Sequence, residues 1–507
     1  MKISRRTATK TLLAGPAAGL MLPARSRAAA ALADDEAQER LKTQVCVVGG
    51  GSAGTGAALA AARAGAKVVL VESESILGGT STNAWVHTWE PTAGADGIPR
   101  QIYEGMKRDP LGVTHADYDR GAPRRGGIGL PFEPRVFNYT AREMLEATEN
   151  CTTLLGTTFF KAHRQNERLT AIEAWFPGKR LRIEADVFID ATADGDVCVD
   201  AGCDYHMGED PKSRYGEPSA PEKAEMSLNG LTLCYRITDT GVPQKPYLPK
   251  GVEEGLCPRP VHIVVMPNGD HLLNAVDMID GNAVLQMEYT ELMREAYRRV
   301  LEHFHWLSRL PPDDGSRWAR FVRGKGYGTW AIAGVAPRIG VRETRRILGD
   351  YVLSEHDCLA GVKNQKHTDI ITITDHAVDI HGRKGRLYEV PNGPYGVPYR
   401  CLLPQGLENL YIASRAASFS HIAASSCRLC RTMITLGQAA GNAAAMAAKR
   451  REATRQIDVA ELQTRLKAQR VASWRITGDG PGIQTNTPGA VCGRVVEVWA
   501  RYAKLRR

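Results

Sequence analysis

Two short apolar runs near the N-terminus flank an alanine-rich stretch. Residues 45–48 read VCVV and residues 67–71 read KVVLV, while the stretch between them repeats alanine at helical spacing. Short runs of β-branched residues are typical of buried strands, and alanine is the strongest helix former. The order of these patterns predicts a strand–helix–strand unit.

Periodic segments continue through the rest of the chain. Residues 152–189 have the pattern of short strands joined by polar turns. The region after residue 206 is first rich in proline and charge, and then contains a strand pair and a long helical run. The predicted helices cover residues 134–150, 283–307 and 461–469, and the predicted strands cover residues 152–161, 169–175, 181–189, 231–237 and 261–266.

The first apolar run ends in a glycine motif. Gly49, Gly51 and Gly54 form the pattern GxGxxG between strand and helix, and Glu72 ends the second apolar run. In a dinucleotide-binding unit the first glycine turns the chain, the second lets backbone approach a pyrophosphate, and the third lets the helix pack closely. The helix N-terminus offers N–H groups to phosphate, and the acid accepts from ribose hydroxyls. This motif alone does not separate NAD from FAD.

A further glycine-rich segment follows Glu72 at residues 77–82, and other segments lie much further along the chain, at residues 190–196, 409–414 and 437–441. Nucleotide-proximal segments spread this widely suit a long extended ligand such as FAD, and no second GxGxxG follows a strand pattern, so a dedicated NAD(P) domain is not expected. The predicted cofactor-binding residues are Gly49, Gly51, Ser52, Ala53, Gly54, Glu72, Gly79, Thr80, Asp190, Asp194, Gly195, Asp196 and Gly437.

Five more segments complete a family resemblance: GVRETRRI at 340–347, DIHG at 379–382, PYRCLLP at 398–404, SHIA at 420–423 and SSCR at 425–428. With the glycine motif, they resemble bacterial FAD-dependent oxidoreductases of glutathione-reductase-like fold, a group that includes the flavoprotein subunits of fumarate reductase and succinate dehydrogenase. The resemblance covers residues 45–100, 135–205 and 335–450. It implies an α/β fold with a Rossmann-like FAD-binding domain and an inserted α+β substrate domain. The family usually has glycine where Ala193 and Ser414 stand, and either side chain could narrow the space beside the flavin.

At 507 residues the chain is too long for a single core. We predict a signal peptide over 1–33, the first part of the FAD-binding domain over 42–205, an inserted substrate or cap domain over 206–335, the return of the FAD-binding domain over 336–450, and a C-terminal tail over 451–507.

The resemblance also provides candidates for catalysis. His381 and His421 are predicted to transfer a proton near the flavin, because histidine titrates near neutral pH, and Arg345 and Arg400 are predicted to anchor a polar substrate. The alternatives are that both histidines are structural and that Arg342, Arg345 and Arg346, which have helical spacing, form a solvated face.

Two other features are open to more than one interpretation. His87 could carry FAD covalently, as a histidine in this general region sometimes does in related enzymes. The pair Cys427 and Cys430 has redox or metal spacing, but the interpretation we favour is packing, since no second cysteine pair lies nearby. No metal site is predicted.

The net charge of +9 comes mostly from the N-terminus. Residues 1–33 carry six Lys or Arg and no acid, which leaves the remainder at +3 and gives no electrostatic case for nucleic acid binding. Arg5 and Arg6 precede a weakly apolar run and an Ala-Leu-Ala sequence before Asp34, a pattern that resembles a twin-arginine export signal. This run is too short and too rich in glycine and alanine for a membrane span, and no other apolar stretch reaches 18 residues. We therefore predict export to the periplasm or beyond, with the twin-arginine machinery as a partner and no stable membrane insertion.

Together these features predict an exported FAD-dependent oxidoreductase that acts on a polar small molecule, with the flavin accepting a hydride. Two alternatives remain at this point. The first is an FAD enzyme with a non-redox net reaction, such as an isomerase or lyase. The second is an inactive nucleotide-binding protein whose flavin site is closed by Ala193 and Ser414.

Overall fold

The computed structural model describes residues 38–90, 92–121, 129–252, 261–275, 278–310, 326–382 and 386–471. The predicted signal peptide and the last part of the predicted tail lie outside these ranges. The strands are β1 Gln38–Val48, β2 Val68–Val71, β3 Thr88–Trp89, β4 Leu130–Pro131, β5 Cys151–Leu154, β6 Thr158–Gln165, β7 Arg168–Phe176, β8 Lys179–Asp190, β9 Tyr205–His206, β10 Tyr235–Asp239, β11 Val261–Val265, β12 His271–Ala275, β13 Trp330–Val335, β14 Arg346–Ile347, β15 Ile370–Thr374, β16 Val378–Ile380, β17 Arg386–Tyr388, β18 Tyr395–Pro398 and β19 Leu410–Ile412. The α-helices are α1 Ser52–Arg63, α2 Ile98–Met106, α3 Pro134–Glu146, α4 Asp196–Asp200, α5 Lys212–Tyr215, α6 Ala283–Gln286, α7 Tyr289–Ser308, α8 Glu355–Ala360, α9 His421–Ser426, α10 Cys430–Arg450 and α11 Val459–Ala468.

The main sheet has β1 near its centre. Its strands follow the order β5-β2-β1-β8-β7-β6, and β19 pairs with the end of β8. β1 is parallel to β2 and β8, with Val45 opposite both Val68 and Val187. Strands buried on both faces read as continuous apolar runs, which explains the sequence pattern. The predicted strand–helix–strand unit and α/β class are confirmed.

The prediction of a single strand over 152–161 is wrong. The segment divides into β5 and β6, and Gly156 lies between them with a left-handed φ of +65°. β5 pairs in parallel with β2, whereas β6 pairs antiparallel with β7. The chain changes pairing partner between β5 and β6, and the positive φ in this connection is one that glycine adopts without strain.

A second sheet has the order β11-β12-β10-β13 and is antiparallel. The segments predicted as a strand pair, β10 and β11, therefore do not pair with each other, because β12 lies between them. The predicted helix over 283–307 is two helices, and extended backbone at Met287 separates α6 from α7. Apolar residues of this sheet and of α7 form a core separate from that of the main sheet. The domain boundaries stay predictions.

Within the described ranges no helix is long and apolar enough to cross a membrane. The same ranges contain no group of histidine, cysteine and acidic residues that could hold a metal ion.

Candidate active site

The glycine turn after β1 is closely packed at two of its three positions. Gly49 has φ +101°, and a Cβ there would overlap the Ala191 carbonyl. A Cβ at Gly54 would overlap the Gly49 carbonyl, because α1 lies directly against the turn. These two glycines are therefore required by the path of the backbone.

Gly51 is different, because its surroundings are open. Its φ is −67°, which any residue can adopt, and the nearest atom to a Cβ built there is the Gly79 Cα at 3.9 Å. A second glycine turn at Gly78 and Gly79 faces it, and Gly78 N donates to the Gly50 carbonyl at 2.9 Å. The open side of Gly51 is where the motif predicts the pyrophosphate.

The N-terminus of α1 lies directly after Gly51. Its first turn contains no acidic residue, and no side chain caps it. The Ser52 hydroxyl is buried and has no hydrogen-bond partner among the described residues. Unpaired N–H groups, a positive helix end and a free hydroxyl are the donors that bind phosphate. These residues fit the pyrophosphate of FAD.

Glu72 lies beside the turn at the end of β2. Its carboxylate accepts from Gly50 N at 2.6 Å and from Glu74 N at 2.7 Å. Burial raises the pKa of Glu72, and these hydrogen bonds oppose that rise. The carboxylate therefore stabilises the glycine turn, while its contact with a ribose stays a prediction.

The other predicted cofactor residues have clear internal partners. Asp190 accepts from Thr192 Oγ1 at 2.7 Å and Cys198 N at 2.9 Å, Asp194 accepts from Arg415 Nη2 at 2.6 Å, and Asp196 pairs with Arg345. A Cβ at Gly195 would meet Ile347, and one at Gly437 would overlap the Ala53 carbonyl in the contact between α10 and α1. The Thr80 carbonyl accepts from Val86 N at 3.1 Å. Helix packing alone thus accounts for glycine at position 437. The roles of these residues in binding the cofactor stay predictions.

Ala193 has a left-handed φ of +73°. This conformation explains why glycine is usual there in similar sequences, since alanine pays a steric cost in it. Ser414 is buried, and its hydroxyl accepts from Ala416 N at 3.2 Å.

The two candidate histidines belong to one buried hydrogen-bond network. His381 N donates to Asn229 Oδ1 at 2.8 Å, and Asn229 Nδ2 donates to Glu343 Oε2 at 2.7 Å. Glu343 Oε1 lies 2.9 Å from His421 Nδ1. The structure thus brings together residues that lie up to 192 positions apart in the chain.

His421 is the first residue of α9, whose N-cap is Ser420. Its Nε2 is buried and has no hydrogen-bond partner in the described part of the chain, and the residue is 2% exposed. Burial would raise the pKa of Glu343, but the charges of His421 and Arg346 outweigh it and lower that pKa. An ionised Glu343 accepts a hydrogen bond from Nδ1–H, so in the neutral imidazole the lone pair is on Nε2.

Arg346 links this network to a second buried carboxylate. Its guanidinium pairs with Glu343 and donates to Asp210 Oδ2 at 2.9 Å, and the side chain is 1% exposed. Asp210 also accepts from His421 N at 3.0 Å. Arg346 therefore neutralises both acids that hold His421.

His381 has a charged neighbour of its own. Its Nε2 lies 2.6 Å from Asp379 Oδ2, and Arg428 Nη2 lies 3.3 Å from the same oxygen. Burial would raise the pKa of Asp379, but His381 and Arg428 hold it well below its ordinary value. Arg428 lies two residues before Cys430, the first residue of α10, so this group adjoins that helix end.

The structure corrects the interpretation of the arginine cluster. Residues 340–345 are not helical, and Arg346 begins β14. Arg345 is 8% exposed and pairs with Asp196, so a solvated face is wrong. Arg342 Nη1 donates to the Thr232 hydroxyl at 2.9 Å.

Arg400 lies outside the histidine network. Its side chain is 44% exposed, lies over the Tyr351 ring and donates to Asp369 Oδ2 at 3.0 Å. Arg400 and Asp369 therefore form an ion pair at the surface. The predicted role of Arg400 in anchoring the substrate stays a prediction, and these contacts do not support it.

His87 and the cysteine pair can now be placed. His87 is fully buried, both ring nitrogens lack partners among the described residues, and burial lowers its pKa well below the ordinary value. Cys427 and Cys430 are both free thiols. Burial raises the pKa of Cys427 to about 12, so its thiol stays protonated and fits packing.

Sequence reasoning missed the residues that connect the histidines, namely Asn229, Asp210, Glu343, Arg346 and Arg428. The family-like segments contain Glu343, Arg346 and Arg428. The resemblance could therefore have identified these three as candidate site residues. Asn229 and Asp210 lie in the region assigned to a cap, and nothing in the local pattern marks them.

Replacing Arg346 with leucine is expected to destabilise the fold. Glu343 and Asp210 would lose the cation that they share, which leaves Asp210 with Arg214 and Glu343 with His421, and breaking a buried ion pair costs roughly 3–5 kcal/mol. Arg400→Leu is the matched control, because an exposed pair contributes at most about 1 kcal/mol. Chemical denaturation would measure the free energy of unfolding of both variants. Equal losses of stability in the two would contradict the role of Arg346 in neutralising the buried acids.

Comparisons with known proteins agree with these features. The profile of the FAD dependent oxidoreductase family matches residues 44–466. A search of curated proteins found no match.

Several solved structures are similar. A geranylgeranyl bacteriochlorophyll reductase-like protein from Thermoplasma acidophilum has 10% identity and a TM-score of 0.41, with 85% of this chain and 83% of that chain covered. The p-nitrophenol 4-monooxygenase PnpA from Pseudomonas putida DLL-E4 has 13% identity and a TM-score of 0.40, with 92% and 95% covered. The myxobacterial chondrochloren halogenase CndH has 12% identity and a TM-score of 0.41, with 92% and 90% covered.

Proposed function

Because this chain belongs to the FAD dependent oxidoreductase family and FAD is its cofactor, we propose that it oxidises a hydroxyl-bearing polar small molecule after export from the cytoplasm. The observation that carries this proposal is the free, buried Nε2 of His421, held by an ionised Glu343 in a network that adjoins the N-terminus of α10. A base of this kind suits removal of a proton from a substrate hydroxyl.

The protein side of the reaction follows from the network. FAD, when bound, supplies the acceptor for the hydride that leaves the substrate carbon. His421 Nε2 takes the hydroxyl proton, so that the substrate loses one proton and one hydride and becomes a carbonyl compound. Glu343 then stabilises the imidazolium through Nδ1, as a carboxylate does in other acid–base pairs. Arg346 and Asp210 keep this carboxylate and the backbone of His421 in place.

The test is the visible spectrum of the purified protein under anaerobic conditions. The protein should be yellow and release FAD on denaturation, and a panel of polyols, sugars and hydroxy acids should contain a compound that bleaches it. Turnover without bleaching would instead support the non-redox alternative. Purified holoprotein that no hydroxylated compound bleaches or converts would contradict the proposal.

Export is a separate prediction with its own experiment. Changing Arg5 and Arg6 together to lysine is expected to retain the protein in the cytoplasm, because a twin-arginine transporter recognises the guanidinium pair and not charge alone. Fractionation followed by immunoblotting measures this, with Lys10→Arg as the charge-conserving control. Unchanged export of the double variant would show that the leader uses another route.

A further inference from the structure

A cavity of about 300 Å³ lies between the second sheet and the segments that flank the main sheet. Trp85 and Glu133 contribute to it from one side, and Arg236, Asp270 and Gly334 contribute from the other. Small-molecule sites usually begin at about 300 Å³, so the cavity has room for one compact ligand.

Three backbone irregularities meet at this cavity. Trp85 has a left-handed φ of +54°, which is strained for a residue other than glycine. The pairing of β10 with β13 shifts register between Arg236 and Ile237, and such bulges redirect a side chain. Gly334 has no side chain, and a Cβ there would lie 2.8 Å from Trp85 Cη2. The fold thus accepts strained or irregular backbone at the positions that place the Trp85 ring and the Arg236 guanidinium in the wall.

The charges in the cavity are already compensated. Arg236 donates to Glu133 Oε2 at 3.0 Å and to Asp270 Oδ2 at 2.8 Å, and its Nε is buried without a partner among the described residues. Arg135 pairs with Asp109 at 2.7 Å. An anionic ligand therefore finds no unpaired cation in this wall, and a cationic ligand finds no unpaired acid.

The wall instead offers donors and acceptors side by side. The Asn268 amide gives one N–H to Asp270 Oδ2 at 2.9 Å and has a second to donate, whereas the carboxylates of Glu133 and Asp270 accept. A hydroxyl group both donates and accepts, so neighbouring hydroxyls match this mixture better than a carboxylate or an amine does. The indole of Trp85 adds the apolar surface on which the C–H face of a sugar ring packs.

The cavity also adjoins the predicted cofactor segment. Asn83 N donates to the Gly79 carbonyl at 2.7 Å, and Val86 N donates to the Thr80 carbonyl at 3.1 Å. These bonds fix the loop that carries Trp85 directly to the second glycine turn. A molecule held against Trp85 is therefore close along the chain to the residues predicted to bind FAD.

We infer that this cavity binds a neutral polyhydroxylated ring, of the size of one monosaccharide, as part of the substrate. The inference rests on the proposed oxidation of a hydroxyl-bearing molecule and names the class of compound that carries the hydroxyl. Trp85, Arg236 and Asp270 would position the ring.

The test is calorimetric titration of the FAD-loaded protein with methyl α-D-glucopyranoside, methyl α-D-galactopyranoside and myo-inositol, and with glucuronate as the anionic comparison. We expect at least one neutral probe to bind. Trp85→Ala should weaken it by about tenfold or more, since an aromatic contact of this size is lost. Asn268→Ala changes a residue at an exposed hairpin tip. It should weaken binding of the neutral probe without affecting folding. Tyr247→Ala, at a side chain that is 66% exposed elsewhere, is the control.

The outcomes separate this inference from the proposed function. A yellow protein that binds none of the neutral probes, or binds only glucuronate, would overturn the inference while leaving oxidation of another hydroxylated compound open. Unchanged affinity in both Trp85→Ala and Asn268→Ala would also overturn it. A protein that binds a neutral probe but whose flavin no hydroxylated compound reduces would instead contradict the proposed function.

Discussion

Gly51→Val is expected to yield a folded protein without FAD. The backbone at Gly51 has φ −67°, which valine tolerates, and the nearest atom to its Cβ is 3.9 Å away. The added side chain would occupy the open side of Gly51, where the pyrophosphate is expected to meet the N-terminus of α1. The cofactor should be excluded while the surrounding packing is unchanged.

Two measurements make this prediction specific. FAD content is read from the visible spectrum and from the flavin released on denaturation, and folding is read from circular dichroism. Gly54→Val is the contrasting variant, because its side chain would overlap the Gly49 carbonyl and should disrupt the fold itself. A Gly51→Val protein with the full FAD content would show that the cofactor does not lie against the open side of Gly51.

The unit around Gly51 was predictable because its information is local. A strand, a turn, a helix and a second strand follow one another within residues 45–72. The spacing of apolar residues identifies the strands and the helix, and the glycines identify the turn. The structure places β1, α1 and β2 there. The register of β8 and β19 against this unit joins segments that lie far apart, so the family resemblance was needed to connect them.

The hydrogen-bond network was not predictable in the same way. Asn229 lies 114 residues before Glu343, and no periodicity connects a polar residue to a partner at that distance. The helical spacing of Arg342, Arg345 and Arg346 left a solvated face as an alternative, but Arg346 and Ile347 form β14 and pair with β9. Tertiary pairing overrode a local spacing that only three charged residues supported.

His421→Gln is expected to slow reduction of the flavin by substrate by a factor of about 10²–10⁴, the usual cost of losing a general base. Glutamine has an amide N–H that can still reach Glu343, but it has no basic nitrogen to take the proton of the substrate. FAD content and unfolding temperature should therefore stay near those of the unaltered protein. Anaerobic stopped-flow measurement of flavin bleaching gives the rate directly.

The same experiment ranks the other candidates, because their contacts differ. His381 Nε2 lies against Asp379 at 2.6 Å, and Arg345 pairs with Asp196. His381→Ala and Arg345→Ala should thus lower the rate less than His421→Gln, and Arg400→Ala should leave it unchanged because that side chain is a surface ion pair. A role in substrate binding would raise KM with little change in kcat, whereas loss of the base lowers kcat. If His381→Ala instead produces the larger fall in kcat, the proton passes through the pair formed by His381 and Asp379, and Glu343 serves only to hold the two histidines together.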